Sequence, residues 1–455
     1  MRRFAGCRSR HSRFSSYLSP VKKVLLITYY WPPSGGAGVQ RVLKLVKYLR
    51  DFGWEPVVYT ALDAAYPILD PSLEQDIPPG QEVLRGPIWE PYEAYKRFTG
   101  KKKDEQVYSG FLHEDRKPSL TERLSVWIRG NFFIPDARSF WIGPSIRYLR
   151  RYLASHPVDA ILSSGPPHSV HMIARGVKAA TGLPWVADFR DPWTNIDFYD
   201  QLRLSRWADA RHRRMEAQVV READRVVTVS WVWGGEFRAL GAREVRVITN
   251  GFDAADFAFR HPPLADAFVC SHIGYLNADR NAAALWEAFG ELARELPGFR
   301  ADLRLRFIGK TDHITFQQLE AQGLMDCVER LAYVPHSEVL NYTCSTQVLL
   351  LLVNDVPNVM GHIPGKTYEY IGSRRPVLAV GPEEADVARV IRETRSGEVC
   401  GFDDKAKMKR VLLDWWRRYR KGSLATEPGE VERYTRRAAT GQMAAVLDEL
   451  AGGRQ

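Results

Sequence analysis

The sequence predicts an α/β protein made of two tandem domains, each a doubly wound parallel sheet wrapped by helices. Three observations carry that prediction. Apolar runs of strand length alternate with segments of helical period along most of the chain. The first strand opens onto a glycine-rich turn, Gly35-Gly-Ala-Gly38, followed by a helix and a second strand. The alternation halts at the proline-containing segment Arg260-His-Pro-Pro263 and begins again at Phe268.

Length and composition fit this reading. At 455 residues, 45% hydrophobic and 26% charged, the chain can fill two separate cores. Its longest apolar run, Val348–Val353, has the length of a strand and not of a membrane span. Cys7, Cys270, Cys327, Cys344 and Cys400 form no CxxC pair, so reduced thiols in a cytoplasm are expected, without a disulfide frame or a zinc site. Residues 1–23 contain five arginines, Lys22, Lys23 and no acid, which leaves only +3 of the net +10 for the rest. A body so mildly basic argues against a nucleic-acid partner. The Arg- and Ser-rich start resembles a transit peptide in composition, but a disordered or misassigned extension over residues 1–22 is the expected reading.

In chain order, Val24–Ile27 reads as a buried strand. Val39, Val42, Leu43, Val46 and Leu49 recur at helical spacing, and Gly53–Thr60 is the second strand. From Pro67 to Ser119 no period is sustained, and a long surface loop or insertion is expected. Leu120–Leu153 is helical with a break at Ile134–Arg138. It is also aromatic and basic, which suits either ordinary helix packing or contact with an anionic membrane. Strands at Asp159–Leu162, Pro184–Ala187, Arg225–Val229 and Val245–Ile248 then alternate with helices at His171–Ala180 and Ala208–Ala223. The second domain repeats the pattern with strands at Phe268–Ile273, Leu303–Ile308, Val328–Val334, Val348–Val353 and Pro376–Val380. Helices are expected at Asn281–Leu292, Thr315–Gln322, Asp386–Thr394 and Lys405–Arg420. The domains therefore span 23–262 and 263–430, and a final helix, 432–450, is free to pack back on either, the first included.

Several motifs bear on chemistry. Gly36-Ala-Gly-Val-Gln-Arg41 is a dinucleotide fingerprint whose third glycine is replaced by arginine. That speaks against NAD and leaves a turn where a ligand approaches the backbone and Arg41 faces an anion. His168 and His171 stand three apart at a helix start, without a third ligand at telling spacing for a metal. His168 then serves either a substrate hydroxyl or the local structure. Asp188-Phe-Arg-Asp191 places three charges directly after a buried strand, at the ligand-facing end of such a sheet. In the second domain Pro364-Gly-Lys-Thr-Tyr-Glu369 opens a short helix. Lys366 and Glu369 share one face there, as a surface ion pair or as a seat for a diphosphate and a ribose diol. Gly274, Arg280 and Lys310 follow other strand ends and suit a phosphate.

Taken in order, these pieces resemble the retaining, family 4-like glycosyltransferases of GT-B architecture, two Rossmann-like domains facing a cleft. The resemblance covers about Val24 to Leu450 and rests on YYWPPSGGAGVQR, GNFFIPDAR, SSGPPHS, VADFRDPW, ADRVVTVS, ITNGFD, HIGYLNADRN, RFIGK, PGKTYEY and RPVLAVGP. It is strongest toward bacterial enzymes of lipopolysaccharide and surface-polysaccharide synthesis. It implies a nucleotide-diphosphate sugar as co-substrate, with Glu369 on the ribose and Lys366, Lys310 and Arg280 on the diphosphate. Gly36, Gly38 and Gly274 make room beside them. His168, Asp188, Arg190 and Asp191 line the cleft as catalytic candidates. A glycan or lipid-linked acceptor, an anionic membrane beside it, no metal and no cofactor complete the implied picture. A sugar-nucleotide epimerase or phosphorylase, or an inactive scaffold subunit, shares the same fold.

The sequence departs from the family pattern twice. The pattern's first acid, eight residues before Glu369, falls on Gly361, with Asn354, Asp355 and Asn358 as substitutes. The usual glycine after the short helix is Arg374, whose left-handed conformation costs roughly 1–2 kcal/mol, so a different turn is expected there.

Overall fold

A computed structural model describes residues 21–89, 120–258, 262–332, 334–427 and 429–453. Most of the basic extension, the Lys101–Lys103 run with the rest of 90–119, and much of the Arg260–Pro263 segment lie outside the described residues.

Two parallel sheets organise the chain. The first contains β1 (Lys22–Ile27), β2 (Trp54–Leu62), β3 (Val83–Pro87), β4 (Ala160–Gly165), β5 (Trp185–Phe189), β6 (Arg225–Thr228) and β7 (Val245–Val247), in the order β3-β2-β1-β4-β5-β6-β7. The second contains β8 (Phe268–Ile273), β9 (Leu303–Ile308), β10 (Val328–Leu331), β11 (Val348–Leu352), β12 (Val377–Val380) and β13 (Gly397–Cys400), in the order β10-β9-β8-β11-β12-β13. In both, the strand order reverses beside the first strand, where a doubly wound sheet opens a crevice at its carboxyl ends. Helices cover both faces, which is why the central strands β1 and β11 are apolar along their buried length. Each Leu or Val so buried contributes roughly 1.5–3 kcal/mol.

Two edge strands differ from the sequence expectation. Val83–Pro87 pairs in register with β2 (Val58 opposite Val83), inside the stretch expected to be a loop. Gly397–Cys400 pairs with β12, also unforeseen. Both are short, lie at sheet edges and lack an apolar run, so neighbouring strands supply the order that their own pattern does not.

After β7 the linker leads to the second sheet, and the C-terminal segment returns beside it. Phe252 and Thr435 form a parallel bridge, and Arg436 N–H donates to the Phe252 carbonyl over 2.7 Å. The final helix, Arg436–Gly452, lies on the first helix, Ala37–Leu49: Met443, Ala444 and Leu447 share a core with Val39, Val42 and Leu43. Among the described residues no helix is long and apolar enough to cross a membrane.

Candidate active site

The second-domain side of the cleft is built at strand ends. Gly274 after β8 and Gly309 after β9 have φ of 101° and 104°, a conformation that favours glycine. A Cβ on Gly274 would stand 3.4 Å from Lys366 Nζ, and one on Gly309 would stand 3.1 Å from the Gly274 carbonyl oxygen. Bare backbone here lets Lys366 reach the sheet. Its ammonium donates to His272 Nε2 over 3.3 Å, while His272 Nδ1–H donates to the Leu350 carbonyl over 3.2 Å. The carbonyl can only accept, so it fixes the tautomer that leaves Nε2 free to accept.

Burial, reinforced by the nearby Arg280 cation and opposed by Glu369, lowers the Lys366 pKa to about 7. Lys366 forms no ion pair among the described residues. Arg280 is held by the Asn354 side-chain oxygen and, over 3.1 Å, by the Tyr275 carbonyl. Lys310 lies 5.7 Å from the centre of the Tyr275 ring. Lys366 begins a helix of only seven residues, Lys366–Gly372. Positive charge here therefore comes mainly from side chains, because a helix this short has little dipole.

The first-domain side is different in kind. Asp188 is 0% exposed. Arg41 grips it with two hydrogen bonds, Nε–Oδ2 at 3.0 Å and Nη2–Oδ1 at 2.8 Å, and Ser164 Oγ donates over 2.7 Å. Burial pushes the Asp188 pKa up, but Arg41 and Ser164 outweigh it and hold the carboxyl below its ordinary range. Arg41, expected to face a ligand anion, is committed to this internal one. The reason is geometric: the position that a third glycine would occupy points across the sheet at β5.

Arg190 donates to the carbonyls of Gly38, Gly165 and Pro166, tying the first glycine-rich turn to the loop after β4. His168 stacks on Trp193 with ring centres 4.5 Å apart, and its Nδ1 has no hydrogen-bond partner among the described residues. Burial, with the His171, His212 and Arg190 charges, keeps His168 neutral. His171 is fully buried, its Nδ1 sharing a 2.9 Å hydrogen bond with Ser163 Oγ. No group of three possible metal ligands occurs among the described residues. Asp191 is partly exposed, and burial, opposed by Arg190 and aided by Asp197, raises its pKa. Gly36 caps the first helix with φ 83°, and a Cβ on Gly38 would stand 3.0 Å from the Tyr30 ring.

The structure thus brings Lys366, Arg280, Lys310, Gly274 and Glu369 to one rim, and Gly36, Gly38, His168, Arg190 and Asp191 to the other. Asp188 lies beneath the surface. One participant went unseen in the sequence. Arg436, the first residue of the final helix, donates to Asn250 Oδ1 over 3.3 Å, close to Arg41. Burial and the Arg41 charge lower its pKa to about 10, against the pull of Tyr368 and Glu369. No local pattern marks it, because only the returning chain carries it to the floor of the cleft. A shallow cavity of about 750 Å³ lined in part by Tyr48, Asp253, Arg433 and Arg437 contains none of the expected donor-binding residues.

Comparison with known proteins decides what this cleft belongs to. Residues 35–251 match the family described as glycosyl transferase 4-like domain. Residues 35–251 thus form a glycosyl transferase 4-like domain, and the chain as a whole has the GT-B fold. No curated protein sequence matches it. Among solved structures, sucrose-phosphate synthase from Thermosynechococcus elongatus aligns with this chain at a TM-score of 0.59 and 14% identity, over 95% of this chain and 100% of that one. The lipopolysaccharide outer core galactosyltransferase WaaB follows at 0.55 and 12%, covering 94% and 99%. HepE of Anabaena, solved in complex with UDP-glucose, gives 0.54 and 13%, covering 95% and 98%. At such identities these likenesses establish the fold of the chain and nothing finer.

The Arg374 turn also departs from expectation. Arg374 does adopt φ 59°. Its N–H donates to Ile371, its carbonyl accepts from Thr426, and its guanidinium pairs with Glu432 at 2.9 Å. Contacts with the returning C-terminal segment hold the residue where glycine would sit without strain.

Proposed function

We propose that this chain is a glycosyltransferase that moves a sugar from a nucleotide-diphosphate donor to a glycan or lipid-linked acceptor, with retention of anomeric configuration and without a metal or other cofactor. One observation carries the reading: a half-buried lysine, Lys366, aimed by a histidine of fixed tautomer and without an ion pair among the described residues, beside Arg280 at converging strand ends. Positive charge withdrawn from water is costly unless an anion completes it. In this reading the diphosphate lies on Lys366, Arg280 and Lys310, and the ribose hydroxyls bond to Glu369. As the bond from the anomeric carbon to the phosphate oxygen breaks, the acceptor oxygen bonds to the same face of the sugar. The hydroxyl proton passes to the departing phosphate. Lys366 and Arg280 stabilise the charge that develops on that phosphate, which is what a metal would otherwise supply.

The acceptor side draws support from helix Leu120–Phe132, which exposes Leu124, Trp127, Ile128 and Phe132 together with Arg123. An apolar face turned outward beside basic residues suits a membrane-borne acceptor at the inner face of the cytoplasmic membrane. Co-sedimentation with vesicles containing phosphatidylglycerol, lost in Trp127→Ala/Phe132→Ala, is the expected result.

The deciding experiment is a thermal-shift screen of UDP-, GDP-, ADP- and dTDP-sugars, followed by product analysis with labelled donor. One nucleotide series should stabilise the wild type but not Lys366→Ala or Glu369→Ala, and labelled sugar should appear on the acceptor, with turnover unaffected by a chelator. Donor consumed without any acceptor would point instead to an epimerase or a hydrolytic reaction. No response to any nucleotide sugar would sink the donor site.

A further inference from the structure

Gly361 ends the single turn Val359–Gly361, on the loop that leads from β11 into Lys366. A Cβ placed on it would overlap Trp233 Nε1 and stand 2.7 Å from Trp233 Cδ1 and 2.8 Å from Ser230 Oγ. Contact between heavy atoms is favourable only near 3.5–4.0 Å, so even one methyl group does not fit. All three atoms belong to the first domain, and none can retreat. Trp233 is 4% exposed and shares a core with Phe237 and Val245. Ser230 Oγ accepts from the Trp233 N–H over 3.1 Å and donates to Asp386 Oδ2 over 2.6 Å.

Other contacts join the same two surfaces. Asp386 Oδ2 also accepts from the Val232 N–H at 3.1 Å, and the Arg389 guanidinium lies 4.0 Å above the Trp231 ring. Asn358 Nδ2 donates to the Asn195 carbonyl over 3.1 Å. The turn Ser230–Trp233 therefore sits in a socket made by Gly361, Asp386 and Arg389.

We propose that Gly361 is a positioning residue: its missing side chain lets the loop before Lys366 seat against Ser230 and Trp233, which sets the spacing of the two rims of the cleft. The space that the family pattern fills with an acid is occupied here by an indole from the other domain. Glycine at 361 is then a requirement of this domain contact and not a vacancy awaiting a substitute. The socket itself is independent of the function proposed above; only its effect on turnover rests on that reading.

The test uses the full chain with Gly361→Ala, Trp233→Leu and the double variant. Without any ligand, Gly361→Ala should speed hydrogen exchange both at 230–234 and at 358–365, while exchange in β1 and β11 stays as in the wild type. Relief of the clash in Gly361→Ala/Trp233→Leu should restore slow exchange at 358–365 relative to Gly361→Ala. With donor and acceptor, overpacking in Gly361→Ala should lower kcat about tenfold while donor Kd stays within about twofold, because the donor rests on the second domain alone. Unchanged exchange at 230–234 in Gly361→Ala, or a double variant no slower in exchange than Gly361→Ala, overturns the proposal. Failure of the wild type to bind any nucleotide sugar would sink the donor-site reading and leave the exchange result to judge the socket.

Discussion

The two rims of the cleft show opposite electrostatic habits. On the first-domain side the buried charges are spent internally: Asp188 on Arg41 and Ser164, and Arg190 on three backbone carbonyls. On the second-domain rim Lys366 and Lys310 form no ion pair among the described residues, and a histidine and a tyrosine ring are their partners. A satisfied network makes a rigid wall, whereas cations without counter-ions make a receptor for an anion. The residue types are alike on both sides. What differs is whether the fold delivers a partner.

If that contrast holds, damage to the first rim should appear mainly as lost stability and damage to the second as lost turnover. The largest effect is expected for Asp188→Ala, which strands the Arg41 guanidinium in the interior. About 3–5 kcal/mol should be lost in denaturant melts, and much less in Arg41→Met/Asp188→Leu, which removes the pair together. Next, Lys366→Ala should lower kcat by about 10²–10³-fold with an unchanged melting temperature. A melting temperature that falls with it would break the comparison.

A smaller effect concerns pH. The Lys366 pKa is about 7 in the free protein, so above that pH the anionic donor must bring a proton with it on binding. Donor affinity should therefore fall as pH rises, roughly tenfold between pH 7 and 8.5, and calorimetry at pH 8 should show proton uptake. Lys366→Arg, permanently charged, should flatten that dependence. Smallest of all, Arg374→Gly should relieve the left-handed backbone by about 1 kcal/mol. The pair with Glu432 that it removes is largely exposed and offsets little of this. Thermal melts would measure the gain.

Runs such as Val348–Val353 made the central strands and the two-domain plan legible, because a strand buried on both faces must be apolar throughout. Val83–Pro87 and Gly397–Cys400 were not legible, since edge strands take their order from a neighbour. The candidate site divides in the same way. Lys366, Glu369, Lys310 and Gly274 could be found by their places after strands, and Arg41, Asp188 and Arg190 by motif. Motif could not show that Arg41 and Asp188 would consume each other across 147 positions of chain, nor that Arg436 would return to the floor of the cleft.

By itself, then, the amino-acid sequence determined what depends on local pattern: the alternation of elements, the glycine turns and the presence of cations and carboxylates at strand ends. Only the tertiary structure decided which of those charges are paired, that Arg374 is held in a left-handed turn, and that Gly361 must stay bare against Trp233. Charge neutralisation and steric exclusion act through space between residues far apart in the chain, and short-range sequence pattern carries no record of such pairings.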